Sequence, residues 1–200
     1  MAKRTTGTGT SRTGSQKKQP TDAIQMLEAD HRKVEQLFDE FLNVDAGRQQ
    51  QVAQEIFREL EVHATLEEEL FYPALKKQEE TDDLTTEELD SAIDDEDIEA
   101  EGDEEEETVE EIDDDQLAED TVTSAYDDHR MVRDHITRLR EMDASSPEFR
   151  QAMVELQDMV TDHVSVEEDE LFNQARISLD TKALGRQMQE RKADILSAAA

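Results

Sequence analysis

The chain has 200 residues, of which 34% are hydrophobic and 38% are charged, so the folded part must be smaller than the whole chain. It contains no cysteine, which excludes disulfides, thiolate-bound zinc, iron–sulfur clusters and cysteine catalysis. The formal net charge of −33 argues against general affinity for nucleic acid or for an anionic membrane surface, because like charges repel.

The chain begins with a polar, basic segment that is followed by two predicted helices. Residues 1–20 are rich in Thr, Gly, Ser, Lys and Arg without periodicity, which predicts a disordered basic tail. Residues 21–78 predict a first helical hairpin: a helix that Thr21 or Asp22 can cap and that residues 43–47 stop, and a second helix over about residues 48–71 that Pro73 should end or bend. The apolar stripe of the first helix is Ile24, Leu27, Val34, Phe38 and Phe41.

A strongly acidic segment follows the first hairpin. Residues 79–120 contain 25 acidic residues and no Lys, Arg or His, whereas the rest of the chain has 29 acidic and 21 basic residues. The acidity therefore belongs to an insert and not to the folded domain. Mutual repulsion and the scarcity of apolar residues predict that residues 79–119 form a disordered insert.

The remainder predicts a second hairpin over residues 120–175 and a C-terminal segment over residues 176–200. Apolar periodicity predicts a third helix over about residues 116–142, and Ser145 or Ser146 can cap a fourth helix in which Pro147 suits the first turn. The C-terminal segment is expected to form a short helix laid against the bundle. Strand signals are absent, so the predicted fold is all-α: an up-down-up-down four-helix bundle with the acidic insert between helices 2 and 3.

Histidines and glutamates interrupt the apolar stripes of all four helices. Each helix has one histidine where the pattern requires a core residue, and the second and fourth helices add a glutamate one turn later on the same face. We therefore expect six side chains to point into the bundle: His31, His63, Glu67, His129, His163 and Glu167.

Energetics indicates what these six side chains do. An unpaired carboxylate in a core costs several kcal/mol and an unsatisfied imidazole about 1–3 kcal/mol, against a net domain stability of about 5–15 kcal/mol. A metal-free polar network is the plainer alternative, but the stripes supply no cations to balance the two glutamates. A pair of divalent cations satisfies all six groups, because carboxylates neutralise the charge and imidazole nitrogens donate to it.

The motifs around these residues repeat along the chain. Asp-His-Arg at residues 30–32 recurs at 128–130, and His-x-x-x-Glu-Glu at 63–68 recurs at 163–168, with one extra residue before the second Leu-Phe pair. Two similar hairpins facing each other would give a pseudo-twofold site, which suits two metals better than one.

The pattern resembles the hemerythrin-like, or HHE cation-binding, domains. The shared motifs are Asp-His at residues 30–31, His-x-x-x-Glu-Glu at 63–68 before Phe-Tyr-Pro at 71–73, the third-helix His129, and His-x-x-x-Glu-Glu at 163–168. The resemblance covers about residues 21–78 and 120–175. It implies a hemerythrin-like bundle in which the four histidines are terminal ligands, whereas Glu67 and Glu167 bridge two irons.

One position departs from the oxygen-carrying hemerythrins. Their third helix has His-x-x-x-His, but Arg133 stands four residues after His129. The set of four histidines and two glutamates is more similar to the iron–sulfur cluster repair di-iron proteins and related bacterial HHE domains, although this chain has no cysteine-bearing N-terminal segment.

The resemblance implies two iron ions, oxo- or hydroxo-bridged, with one open position per iron. We therefore expect a binding or sensing protein for oxygen, peroxide or nitric oxide rather than an enzyme. The alternatives are an iron-oxidising or peroxide-consuming enzyme and a bundle stapled by zinc or manganese. Nucleic acid and membrane are not expected as partners, and protein partners are left open by the sequence. The lack of a signal or spanning segment predicts a cytoplasmic location.

Five further polar residues near the stripes have plainer interpretations. His135 is expected to be a surface or partly exposed histidine, and Glu68 and Glu168 to lie off the ligand face. Asp30 and Asp128 are expected to be solvated, with orientation of the imidazoles as the alternative.

Overall fold

The first hairpin is helical on both sides of a short break. The computed structural model describes residues 22–78 and 114–198, with side chains in the second range from Thr121 onward. Helix α1 (Ala23–Asn43) begins after Asp22, whose carboxylate accepts hydrogen bonds from the N–H groups of Ile24 and Gln25. Helix α2 (Ala46–Leu66) begins after Asp45, which caps it by accepting a hydrogen bond from the N–H of Arg48.

The second hairpin consists of helix α3 (Asp114–Glu141) and helix α4 (Pro147–Val166). Ser146 caps α4 by accepting a hydrogen bond from the N–H of Phe149, and Pro147 occupies the first turn, which confirms the predicted cap. Helix α3 ends at Glu141, before the turn at residues 142–146 that leads into α4.

Two helices follow α4: α5 (Phe172–Ser178) and α6 (Thr181–Ala198). Helix α6 has 18 residues, so it is longer than the short helix that the sequence predicts. Leu184 and Met188 bury its apolar side, and Arg191 and Lys192 form ion pairs with Glu69 and Asp30 on the first hairpin. These contacts hold α6 against α1 and the C-terminal part of the first hairpin.

A π-helical turn follows each of the two glutamate-bearing helices, at Glu67–Phe71 after α2 and at Glu167–Leu171 after α4. In these turns the N–H groups of residues 72 and 172 bond to the carbonyls of residues 67 and 167. Pro73 follows the first of these turns, whereas Asn173 stands at the equivalent place after the second, so the π-turn does not depend on a proline. The helix continues through Pro73 to residue 78, so of the two outcomes predicted at Pro73 the end is wrong and the bend stays a prediction.

The two π-turns also correct the alignment of the internal repeat. Phe71 and Leu171 both end a π-turn, and Tyr72 and Phe172 both follow one. All four side chains are fully buried. The apparent extra residue in the second repeat is therefore not an insertion. Counted from the π-turns, Phe71 corresponds to Leu171 and Tyr72 corresponds to Phe172, although the residue types differ.

Two apolar clusters fill the bundle on either side of a polar layer. The first contains Leu27, Leu66, Tyr72 and Phe172 together with the buried residues of α6. The second contains the other ends of the four helices, including Phe57. All five stripe residues predicted for α1 are buried in these clusters. The apolar clusters exclude water from both ends of the polar layer and fix the helices that supply it.

Two predicted segments lie outside the described residues: the basic tail of residues 1–20 and the acidic insert up to residue 113. The last predicted residues of the insert belong to α3, which begins at Asp114. No helix in the described ranges is long and apolar enough to cross a membrane.

Candidate metal centre

The structure brings all six predicted side chains together in the polar layer. Each helix of the bundle supplies one histidine, and the two glutamates are the first residues of the π-turns. All six are buried, and both glutamates have no exposed surface at all. The six residues are His31, His63, Glu67, His129, His163 and Glu167.

The imidazoles form one pair in each hairpin. Nε2 of His31 lies 3.0 Å from Nε2 of His63. Nε2 of His129 lies 3.1 Å from Nε2 of His163. The two pairs occupy equivalent places in the two hairpins, so the repeat in the sequence appears as a pseudo-twofold arrangement in space.

Each glutamate lies between imidazoles of different hairpins. Oε2 of Glu67 is 3.0 Å from Nε2 of His63 and 3.4 Å from Nε2 of His129. Oε2 of Glu167 is 3.3 Å from Nε2 of His163 and 3.4 Å from Nε2 of His31. Both carboxylates therefore connect the two imidazole pairs across the bundle.

These ligand atoms fall into two overlapping groups that could each hold a metal ion. One group is His31, His63, Glu67 and Glu167, and the other is Glu67, His129 and His163, with the atoms of each group within 4.8 Å of one another. Glu67 belongs to both groups. The geometry thus indicates a metal-binding bundle, in which the two groups of ligand atoms share a carboxylate.

Several of these atoms lack a hydrogen-bond partner. Among the described residues, both carboxylate oxygens of Glu67, Oε2 of Glu167 and Nδ1 of His63 are buried without one. A buried carboxylate without hydrogen bonds costs several kcal/mol. The nearby Nε2 atoms do not satisfy these oxygens in hydrogen-bond geometry, so the donor set fits a cation placed among them.

The electrostatics of the site favour positive charge at its centre. Burial lowers the pKa of His63, but the charge of Glu67 and the contact with Asp30 outweigh burial and raise it to about 10. The pKa of His163 is also raised to about 10, since Glu167 and Asp128 outweigh burial there. In Glu167, burial raises the pKa, but His163 and His31 hold it well below its usual range. Without metal, the protonated imidazoles of His63 and His163 thus supply the positive charge that balances the buried carboxylates of Glu67 and Glu167.

Outer carboxylates orient two of the imidazoles, a role that the sequence reasoning missed. Nδ1 of His31 donates to Oε1 of Glu168 over 2.9 Å, and Nδ1 of His129 donates to Oε1 of Glu68 over 3.0 Å. With its proton on Nδ1, each imidazole presents a lone pair on Nε2 to the centre of the site. The signal was the second glutamate of each His-x-x-x-Glu-Glu motif, which reaches the histidine of the opposite hairpin and not that of its own.

The aspartates before the first- and third-helix histidines make weaker contacts. Oδ2 of Asp30 lies 3.9 Å from Nδ1 of His63, and Lys192 donates to both oxygens of Asp30. Oδ2 of Asp128 lies 3.5 Å from Nδ1 of His163. The expectation that both are solvated is wrong for Asp30, whose side chain is 13% exposed because α6 covers it.

His135 does not join the site, although it is buried rather than at the surface as expected. Its Nε2 donates to the carbonyl of Ala152 over 2.8 Å, and Arg138 donates to its Nδ1 over 3.2 Å. These partners satisfy both ring nitrogens at the seam between α3 and α4. His135 is therefore a structural histidine.

The two halves of the site differ at the residue after the π-turn. The O–H of Tyr72 donates to Oε1 of Glu167 over 2.5 Å, and its ring stacks on His129 with the ring centres 5.7 Å apart. Phe172 stacks on His31 at 5.6 Å in the equivalent place but has no hydroxyl to offer Glu67. Burial and the two glutamate charges raise the pKa of Tyr72, so it remains a proton donor.

A small cavity adjoins the imidazoles. Its volume is about 30 Å³, and all four site histidines line it together with the apolar side chains Val34, Leu60, Val132 and Val160. A water needs roughly 10–15 Å³ measured in this way. The cavity therefore has room for a molecule of two or three atoms beside the ligand atoms.

Of the comparisons with known proteins, the comparison with solved structures identifies the fold. No protein-family model matches the chain. A protein of Nostoc sp. (strain PCC 7120 / SAG 25.82 / UTEX 2576) described as a DNA nickase is 25% identical over 175 residues, which are 87% of this chain but only 39% of that protein. The crystal structure of a hemerythrin HHE cation binding domain-containing protein from Mycobacterium kansasii matches with a TM-score of 0.61 and 16% identity, covering 89% of both chains. The chain thus has a hemerythrin-like fold.

Proposed function

We propose that this chain is a hemerythrin-like protein with a dinuclear iron centre that binds or senses oxygen, peroxide or nitric oxide. The observation that carries the proposal is the position of Glu67 and Glu167, each between an imidazole of its own hairpin and one of the other. A carboxylate in that position can bridge two metal ions, each held by one pair of histidines. The proposal takes His31, His63, Glu67, His129, His163 and Glu167 as the ligands.

The residues present fit such a centre in number and in chemistry. Two carboxylates and four neutral imidazoles offer oxygen and nitrogen donors that suit iron. The buried oxygens of Glu67 would gain the partners that they otherwise lack. Glu68 and Glu168 fix the imidazole rings of His129 and His31, so that Nε2 of each ring would be the atom that holds the metal.

Iron in this place would supply reversible redox chemistry and an open coordination position. The protein contributes an apolar cavity of about 30 Å³ beside the four histidines. Its valine and leucine walls exclude bulk water and bulky ligands, whereas a diatomic molecule fits. Tyr72 supplies a proton donor within the site, directed at Glu167. These features favour the binding of a small, uncharged molecule over chemistry on a large substrate.

The test is metal analysis of the purified protein with a matched pair of histidine variants. We expect about two irons per chain in the wild type after iron-replete expression, with an absorption band that changes on adding oxygen, peroxide or nitric oxide. His63→Gln removes a proposed ligand and should lower the iron content. His135→Gln removes an equally buried histidine outside the site and should retain the iron.

Circular dichroism of both variants checks that the bundle remains folded. Equal iron content in both variants would refute the ligand assignment. Zinc or manganese in preference to iron, without response to small molecules, would support a structural staple instead. Sustained turnover of Fe²⁺ or peroxide would favour the enzymatic alternative.

A further inference from the structure

A groove on one side of the bundle leads to the histidines. It lies between α1 and α4 and has a volume of about 320 Å³. Four residues line both this groove and the small cavity at the centre: His31, Val34, Val160 and Val164. The groove therefore reaches from the surface to the imidazole of His31.

The pseudo-equivalent seam between α2 and α3 has different residues at the matching positions. The repeat relates residues of α1 to α3 by 98 positions and residues of α2 to α4 by 100. Where the groove has Glu35, the seam has Arg133, which forms an ion pair with Glu68. Where the groove has Gln157, the seam has Phe57, which is fully buried.

A second ion pair bridges the same seam. Glu61, which corresponds to Thr161 of the groove, pairs with Arg140 over 2.8 Å. The guanidinium of Arg140 also lies 5.7 Å from the centre of the Phe57 ring. The α2–α3 seam therefore has a large or ion-paired side chain at each of the three positions where the groove has Glu35, Gln157 or Thr161.

The outer glutamates reflect the same difference. Glu68 is held by Arg133 as well as by His129, and its side chain is 24% exposed. Glu168 contacts His31 and lines the groove, and its side chain is 36% exposed. Glu168 therefore stands between solvent and a proposed ligand without the arginine that holds its counterpart.

The charges that line the groove favour cations. Glu35, Asp39 and Glu168 are acidic, and Arg32 is the basic residue among the lining side chains. Arg32 is directed away toward Glu28, to whose carbonyl it donates over 2.8 Å. An acidic groove with low-dielectric walls raises the local concentration of divalent cations.

From this difference we propose that divalent metal ions enter the site through the α1–α4 groove, past Glu168, while the Arg133–Glu68 and Arg140–Glu61 pairs keep the α2–α3 seam closed. The inference rests on the proposed function, since it requires a metal site at the centre. It adds that the α1–α4 groove and its pseudo-equivalent seam differ in access, and that the groove delivers the metal beside His31.

The test follows the rate at which Co²⁺ enters metal-free protein. Rapid mixing with Co²⁺ under anaerobic conditions gives an absorption signal as imidazole and carboxylate ligands bind, and metal analysis afterwards gives the final content. Glu35→Arg introduces into the groove the arginine that the closed seam has at the matching position, Arg133. Gln157→Phe copies its phenylalanine without a change of charge. Thr137→Arg is the matched control, because it places an exposed arginine on the closed side, at the position that corresponds to Asp39.

We expect Glu35→Arg and Gln157→Phe to slow Co²⁺ loading roughly tenfold, with the same final content as the wild type. Thr137→Arg should load within about twofold of the wild-type rate, because the field of the groove decays over roughly one Debye length of 8–10 Å. Wild-type loading should also slow as salt is added. Loading of both groove variants at the wild-type rate, or equal slowing by Thr137→Arg, would refute the route alone. Absence of Co²⁺ binding in the wild type would refute the metal site and the route together.

Discussion

Replacement of Tyr72 by phenylalanine makes the two halves of the site alike, because Phe172 already occupies the equivalent place. In the metal-free protein the O–H of Tyr72 is the donor to Oε1 of Glu167. A hydrogen bond to a charged group contributes about 1.5–3 kcal/mol, and its loss leaves a buried carboxylate oxygen without a partner. We therefore expect Tyr72→Phe to lower the free energy of unfolding of the metal-free protein by about 1.5–3 kcal/mol.

For a chain of this size, that loss corresponds to a decrease in Tm of about 3–12 °C. With metal bound, the cation would stabilise Glu167 in place of the hydroxyl, so the decrease should be smaller. Urea denaturation and calorimetry of metal-free and metal-loaded protein measure both quantities.

Tyr126→Phe is the matched control for this prediction. It deletes the same atom from a neighbouring tyrosine, whose O–H donates to the backbone carbonyl of Glu68 over 3.3 Å. A bond to a neutral acceptor contributes only about 0.5–1.5 kcal/mol. The reasoning is wrong if Tyr72→Phe costs no more than Tyr126→Phe in the metal-free protein, or if metal enlarges the loss.

Two further predictions concern pH and capping. Because the folded-state pKa values of His63 and His163 are raised to about 10 from an unfolded value of 6.5, their contribution to stability is fully present below pH 6.5 and is lost as the pH rises toward 10. Metal-free protein should thus need less urea to unfold at pH 10 than at pH 6, and the opposite trend would contradict these shifts. Asp22→Ala removes the cap of α1 and the acceptor of the 2.6 Å hydrogen bond from Thr181 at the start of α6. It should cost about 1–3 kcal/mol in thermal denaturation, whereas Asp39→Ala, an exposed change in the same helix, should cost less than about 0.5 kcal/mol.

The sequence predicted most of the bundle because its helices carry strong local signals. The cap at Asp22, the break near Asp45 and the Ser146-Pro147 start of α4 follow from the hydrogen-bonding and φ preferences of single residues. The C-terminal helix was underestimated, since its stripe is sparse and its place depends on ion pairs with residues more than a hundred positions away.

The π-turns could not be predicted from periodicity. A single widened turn shifts the register by one residue, which in sequence looks like irregular spacing or an insertion. The buried Tyr72 and Phe172 reveal the shift because both follow a π-turn and both stack on a histidine of the other hairpin. Only side-chain positions in three dimensions distinguish this arrangement from a helix that Pro73 ends.

The spacing of residues along the chain was enough to place six polar side chains on the inner faces of four helices. The helical period of 3.6 residues decides which face a residue takes, so the spacing of histidines, glutamates and apolar residues was sufficient. The packing of the helices in three dimensions sets which atoms meet: Glu67 and Glu167 span the two hairpins, Glu68 and Glu168 reach across to His129 and His31, and a groove between α1 and α4 reaches His31. These features depend on how the two hairpins are rotated and offset against each other, and packing over the whole core sets that geometry.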